Sequence, residues 1–119
     1  MGRGAEGAVS GGLGGMWDLY RRAEQYGHAM AVVNDYLGEG MRDKVMERFQ
    51  ELAGPLQRSG WKEPWEMIAH ALTAAGVDRA TVRALHIAYL KRSGRLHEKR
   101  DWTSEPPEVL ELLRQWRLL

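Results

Sequence analysis

From Met16 onward apolar residues recur as Met16, Leu19, Ala23, Tyr26, Met30, Val33 and Leu37, at spacings of 3, 4, 3, 4, 3 and 4. That period keeps one face of a helix apolar through three heptads. It does not suit a strand, whose side chains alternate every two residues. A helix patterned in this way needs a second helix lying nearly along it. The partner helix can come from the same chain, or from a second copy or another protein docking through Met16 to Leu37. Gly27 lies beside the seam, where its missing side chain permits close approach, and Gly38 and Gly40 supply the stop.

The rest of the chain continues in helical period. A second helix is expected from Met41 to Leu52, with Val45, Phe49 and Leu52 on its apolar face and Gly54 and Pro55 ending it. Pro64 suits the first turn of a third helix, "PWEMIAHALTAA", because the N–H it lacks has no partner there. Asp78 is a natural N-cap for a fourth helix running from Arg79 to about Arg92 and closed by Ser93 and Gly94. Ser104, followed by "EPPE", is expected to cap a fifth helix whose face is Val109, Leu112, Leu113 and Trp116. The expected fold is all-α: a compact bundle of about five helices over residues 16–119, preceded by a flexible arm. The arm, residues 1–15, holds seven glycines and almost nothing to bury.

A chain of 119 residues can bury a core without staples. With no cysteine, disulfides, thiolate nucleophiles and cysteine-based metal sites are excluded, and a cytoplasmic address is expected. No apolar run is long enough to span a membrane. Gly2, Gly4 and Gly7 match G-x-G-x-x-G in letters, but Met1 alone precedes them here and more glycines follow in place of a helix, so no dinucleotide site is expected. Glu66 and His70 stand one helical turn apart with no third candidate ligand in sequence, which reads as a surface pair. There is no P-loop, H-E-x-x-H, EF-hand or nucleophile elbow. These readings predict a non-enzymatic protein with no metal and no cofactor.

The net charge of +1 conceals a segregation. Residues 1–78 carry eight Lys or Arg against eleven Asp or Glu. Residues 79–100 carry seven against Glu98 alone, and residues 101–119 carry two against four. A local positive field of this kind attracts polyanions whatever the total charge. Within "ALTAAGVDRATVRAL", Gly76 turns a corner, Val77 follows it, and Thr81 and Val82 open the next helix. This segment of about fourteen residues resembles the helix-turn-helix of bacterial repressors of the lac type. Leu72 stands where a small residue usually lets the two helices cross closely, and Asp78 where Ser or Thr is common.

On a helical projection of residues 79–92, Val82, Leu85 and Tyr89 share the core face, while Arg79, Arg83 and His86 share another. The resemblance implies that this second face enters the major groove, where Arg can donate two hydrogen bonds to guanine. Lys91, Arg92, Arg95, Lys99 and Arg100 would flank it on phosphates. Ile87 and Leu90 border the arginine face, so the helix is apolar over much of its circumference. Two functions are consistent with the sequence. One is a small nucleic-acid-binding regulator, with DNA ahead of RNA. The other is a protein-interaction module such as an adaptor, assembly subunit or inhibitor.

Overall fold

In the computed structural model the described residues are 3–58, 63–96 and 102–119, with side chains from Tyr20 onward except at positions 56 and 57. The flexible arm expected over residues 1–15 lies outside the residues whose side chains are described. Five α-helices follow one another: α1 (Arg3–Leu37), α2 (Glu39–Arg58), α3 (Pro64–Ala74), α4 (Arg79–Arg92) and α5 (Pro107–Gln115), with a 3₁₀ turn over Trp102–Ser104 before the last. The described residues contain no strand, and no helix among them is long and apolar enough to cross a membrane.

The larger core joins four helices. α1 contributes Ala29, Val32 and Val33, α2 contributes Val45, α3 contributes Trp65, Ile68, Ala71 and Leu72, and α4 contributes Leu85, Ala88 and Tyr89. Tyr26, Met30 and Leu37 pack against it, so from Tyr26 onward the heptad seam is closed within the molecule. Ala23 is exposed, and Met16 and Leu19 lie outside the described side chains. A smaller cluster of Ala84, Ile87, Val109 and Leu113 fills the space between α4 and α5. Sandwiched between the two clusters, α4 is buried on two sides, which explains the apolar breadth seen in its sequence.

Three expected boundaries move. α2 begins at Glu39, two residues before Met41, so Gly40 lies inside it and the stop after α1 falls to Gly38 alone. α2 does not stop at Gly54–Pro55 but runs to Arg58, carrying Pro55 in its last turn. A proline disfavours helical backbone in the preceding residue partly by clashing with its Cβ, and Gly54 has none. At the other end of the chain, Ser104 closes the 3₁₀ turn and does not cap α5. The N-cap is Pro106, held extended at φ −61° and ψ 150°. Pro107 forces that extended geometry on the residue before it, so the helix begins at Pro107.

Gly38, at φ +93°, separates α1 from α2 in a conformation that L side chains rarely adopt. At the end of α5 the same role falls to Arg117, at φ 59°. The N–H of Leu118 donates to the Leu113 carbonyl at 2.8 Å and that of Arg117 to the Arg114 carbonyl at 3.0 Å. This cap seats Leu118 against both clusters and Trp116 flat on Tyr36 of α1, at 4.6 Å between centroids. Arg117→Gly is expected to raise stability by about 0.5–1 kcal/mol, the left-handed strain removed less the extra freedom of an unfolded glycine. Thermal unfolding checks this, and a lower midpoint for the variant would contradict it.

Candidate nucleic-acid interface

The turn before α4 is built from local chemistry. Gly76, at φ +91°, lets its own N–H reach the Thr73 carbonyl at 3.0 Å while the N–H of Val77 reaches the Leu72 carbonyl at 3.0 Å. Asp78 then caps α4. The Thr81 N–H donates to Asp78 Oδ2 at 3.1 Å, and the Thr81 hydroxyl to Oδ1 at 2.7 Å. These two bonds, the hydroxyl's first, hold the Asp78 carboxyl below the usual carboxylate range. The cap's contribution is therefore complete above the unfolded pKa, about 3.9, and is lost as pH falls through the lower folded value. Asp78→Ala is expected to cost about 1 kcal/mol at neutral pH, and Asp78→Asn only part of that. Urea unfolding measures both, and equal losses would contradict the capping account.

Of the eight candidate residues, the six that are described separate into three groups. Arg79 is exposed on the first turn of α4. Lys91 and Arg92 are exposed on its last turn, with Arg95 exposed just beyond, so these three cluster about 18 Å along the axis from Arg79. Gly94, at φ +72°, makes the reversal that places Arg95, whose N–H donates to the Leu90 carbonyl at 2.8 Å. Arg92 approaches Asp35 of α1 at 3.8 Å, both side chains about half exposed. Lys91 and Arg95 meet no carboxylate among the described residues. Lys99 and Arg100 lie outside the described residues.

Arg83 and His86 form the third group, and both are engaged within the molecule. Arg83 grips Glu105 with two parallel bonds, Nε to Oε1 at 3.0 Å and Nη2 to Oε2 at 2.7 Å. The carboxylate is only 4% exposed, whereas the Arg83 side chain is 38% exposed. Hydrogen bonding to Glu105 raises the Arg83 pKa above the ordinary arginine value. The third nitrogen, Nη1, lies 3.3 Å from His86 Nδ1. A guanidinium can only donate, so a hydrogen bond here would be accepted by Nδ1.

The His86 ring lies parallel to Trp65 of α3 at 5.1 Å, and Trp65 stacks in turn on Tyr89 at 5.0 Å. The ladder ends with the Arg95 guanidinium, 5.0 Å from the centre of the Tyr89 ring and donating to its hydroxyl. Burial, the largest influence, pushes the Tyr89 phenol up and keeps it protonated. The face projected to carry Arg79, Arg83 and His86 together therefore offers Arg79 to solvent and turns the other two toward Glu105 and Trp65.

Sequence reasoning passed over Glu105, which is neither periodic nor near Arg83 in the chain. The one local signal was its place in a proline-bound turn. Beside this ion pair a cleft of about 340 Å³ opens between the first turns of α4 and α5, lined by Arg79, Ala80, Arg83, Pro106, Glu108 and Val109. Among the described residues no three His, Asp or Glu side chains converge as metal ligands.

Fold and site together define a small all-α bundle with a cationic cluster at one end of its central helix. No family model, curated protein or solved structure matches the chain.

Proposed function

We propose that this protein binds nucleic acid, duplex DNA first, by gripping the phosphate backbone with the cations at the end of α4. The observation that carries this reading is the gathering of Lys91, Arg92 and Arg95 on one exposed end, opposed among the described residues by one carboxylate contact at 3.8 Å. In sequence Lys99 and Arg100 extend the same basic run. Phosphate contacts of this kind position a duplex without reading it. Of the residues on the projected reading face, Arg79 is the one whose guanidinium is offered outward, so it is assigned any base contact that the helix-turn-helix-like segment makes. Arg83 and His86 are assigned to the scaffold.

A labelled short duplex, titrated by fluorescence anisotropy, tests the assignment. Replacing Lys91 and Arg92 together by Glu is expected to weaken binding by at least about tenfold on any sequence. Arg79→Ala is expected to cost about 1–3 kcal/mol on a preferred sequence only. Unchanged affinity after the double charge reversal contradicts the reading. The rival function, a protein-interaction module, is favoured by the cleft beside Arg79, whose lining joins apolar Ala80, Pro106 and Val109 to charged Arg79, Arg83, Glu105 and Glu108.

A further inference from the structure

Among the described residues four positions adopt left-handed backbone: Gly38, Gly76, Gly94 and Arg117. Three of them are glycines, which take such a φ without strain. The fourth carries a long cationic side chain. Arg117 is exposed and meets no carboxylate among the described residues, whereas Arg114, on the last turn of α5, lies 3.7 Å from Glu111.

The packing brings Arg117 to the end of the bundle that carries Lys91, Arg92 and Arg95. α4 and α5 start together at the cleft that Arg79 and Arg83 share with Pro106 and Glu108. Beyond it, Val109 and Leu113 of α5 meet Ala84 and Ile87 of α4 in the smaller cluster, so the two helices run in the same sense. Arg92 lies nine residues past Arg83, about 14 Å along α4, and Arg117 ten residues past Pro107, about 15 Å along α5. Both ends then touch neighbouring residues of α1: Arg92 approaches Asp35, and Trp116 stacks on Tyr36.

We infer that Arg117 is a further phosphate contact, joining Lys91, Arg92 and Arg95 in one basic face that spans the ends of α4 and α5. This rests on the phosphate-backbone reading above. The turn at residue 117 is better served by glycine, so what arginine adds there is its charge. Each phosphate that such a face neutralises releases counterions, which makes the count of contacts visible in the salt dependence.

Stability and binding should therefore move in opposite directions. Arg117→Gly is expected to unfold at a higher temperature and yet to bind a short labelled duplex about threefold to tenfold more weakly at about 100 mM salt. Its slope of log affinity against log salt should be shallower by about 0.9. Arg117→Lys keeps the charge, and should bind within about twofold of the wild type with the slope unchanged. Circular dichroism confirms that each variant is folded. If the glycine variant does not fold, Arg117→Asn, which also tolerates left-handed backbone, decides by the same readouts.

Unchanged affinity and slope in folded Arg117→Gly, while reversal of Lys91 and Arg92 does weaken binding, overturns the assignment of Arg117 and leaves the phosphate-backbone reading standing. An equal loss in Arg117→Lys also overturns it, because the charge would then be irrelevant. No binding of duplex by the wild-type protein at low salt overturns both.

Discussion

Val33→Asp is expected to abolish the fold, with circular dichroism falling to that of an unfolded chain at 25 °C. Val33 has no exposed surface and lies among Ala29, Val32, Leu72 and Tyr89 in the larger core. A carboxylate there loses its hydration with no cation provided for it, a penalty of several kcal/mol, and the valine's own burial of about 1.5–3 kcal/mol disappears as well. Domains of this size are stable by only about 5–15 kcal/mol. Tyr20→Asp on the same helix is the control: Tyr20 is 64% exposed, and its replacement is expected to change stability by no more than about 0.5 kcal/mol. The experiment also separates the two uses of the heptad seam. Were Val33 part of an interface between two chains, the variant would be a folded, helical monomer.

The second large effect is at the buried ion pair. Arg83→Ala is expected to cost about 2–4 kcal/mol in chemical unfolding, while Glu105→Gln is expected to cost about 1 kcal/mol. The asymmetry follows from exposure. Removing Arg83 takes the guanidinium from a carboxylate that is 4% exposed, whereas removing the Glu105 charge leaves an arginine that is 38% exposed and can be hydrated. The larger figure is set toward the low end of the usual range for buried pairs because the Arg83 side of this pair reaches solvent. Equal losses for the two variants, or a negligible loss for Arg83→Ala, would show that the pair is only a surface contact.

Local chemistry was legible in the sequence and distant partnerships were not. Gly76, Asp78, Gly94 and Pro64 each act through neighbours within five residues, so the turn into α4, its cap and its close stand where the sequence puts them. Pro55 misled because the glycine before it eases the clash that normally stops a helix. Ser104 misled because a later pair of prolines dictates where α5 can begin. The heptad period announced a helix needing a partner, but a period measured along one helix says nothing about which chain supplies the partner.

The reading of α4 shows the same limit. A projection correctly put Leu85 and Tyr89 in the core and grouped Arg79, Arg83 and His86 on another face. It could not show that Glu105, 22 residues on, folds back onto that face, or that Trp65 lies against His86. Both contacts are long-range and involve residues outside any periodic stripe. The exposure of Lys91, Arg92 and Arg95 was legible because charged side chains at a helix end belong at the surface, whereas the seat of Arg95 on Tyr89 and the approach of Arg92 to Asp35 were not.

The salt dependence of duplex binding tests the central claim most directly. If Lys91, Arg92, Arg95 and the basic residues that follow neutralise around four phosphates, log affinity should fall against log salt with a slope of about −3.6, from the counterions released. Lys91→Ala with Arg92→Ala should flatten that slope to about −1.8 and leave any sequence preference intact. No binding to duplex by the folded protein at about 50 mM salt, or a slope that the double variant leaves unchanged, would contradict the account.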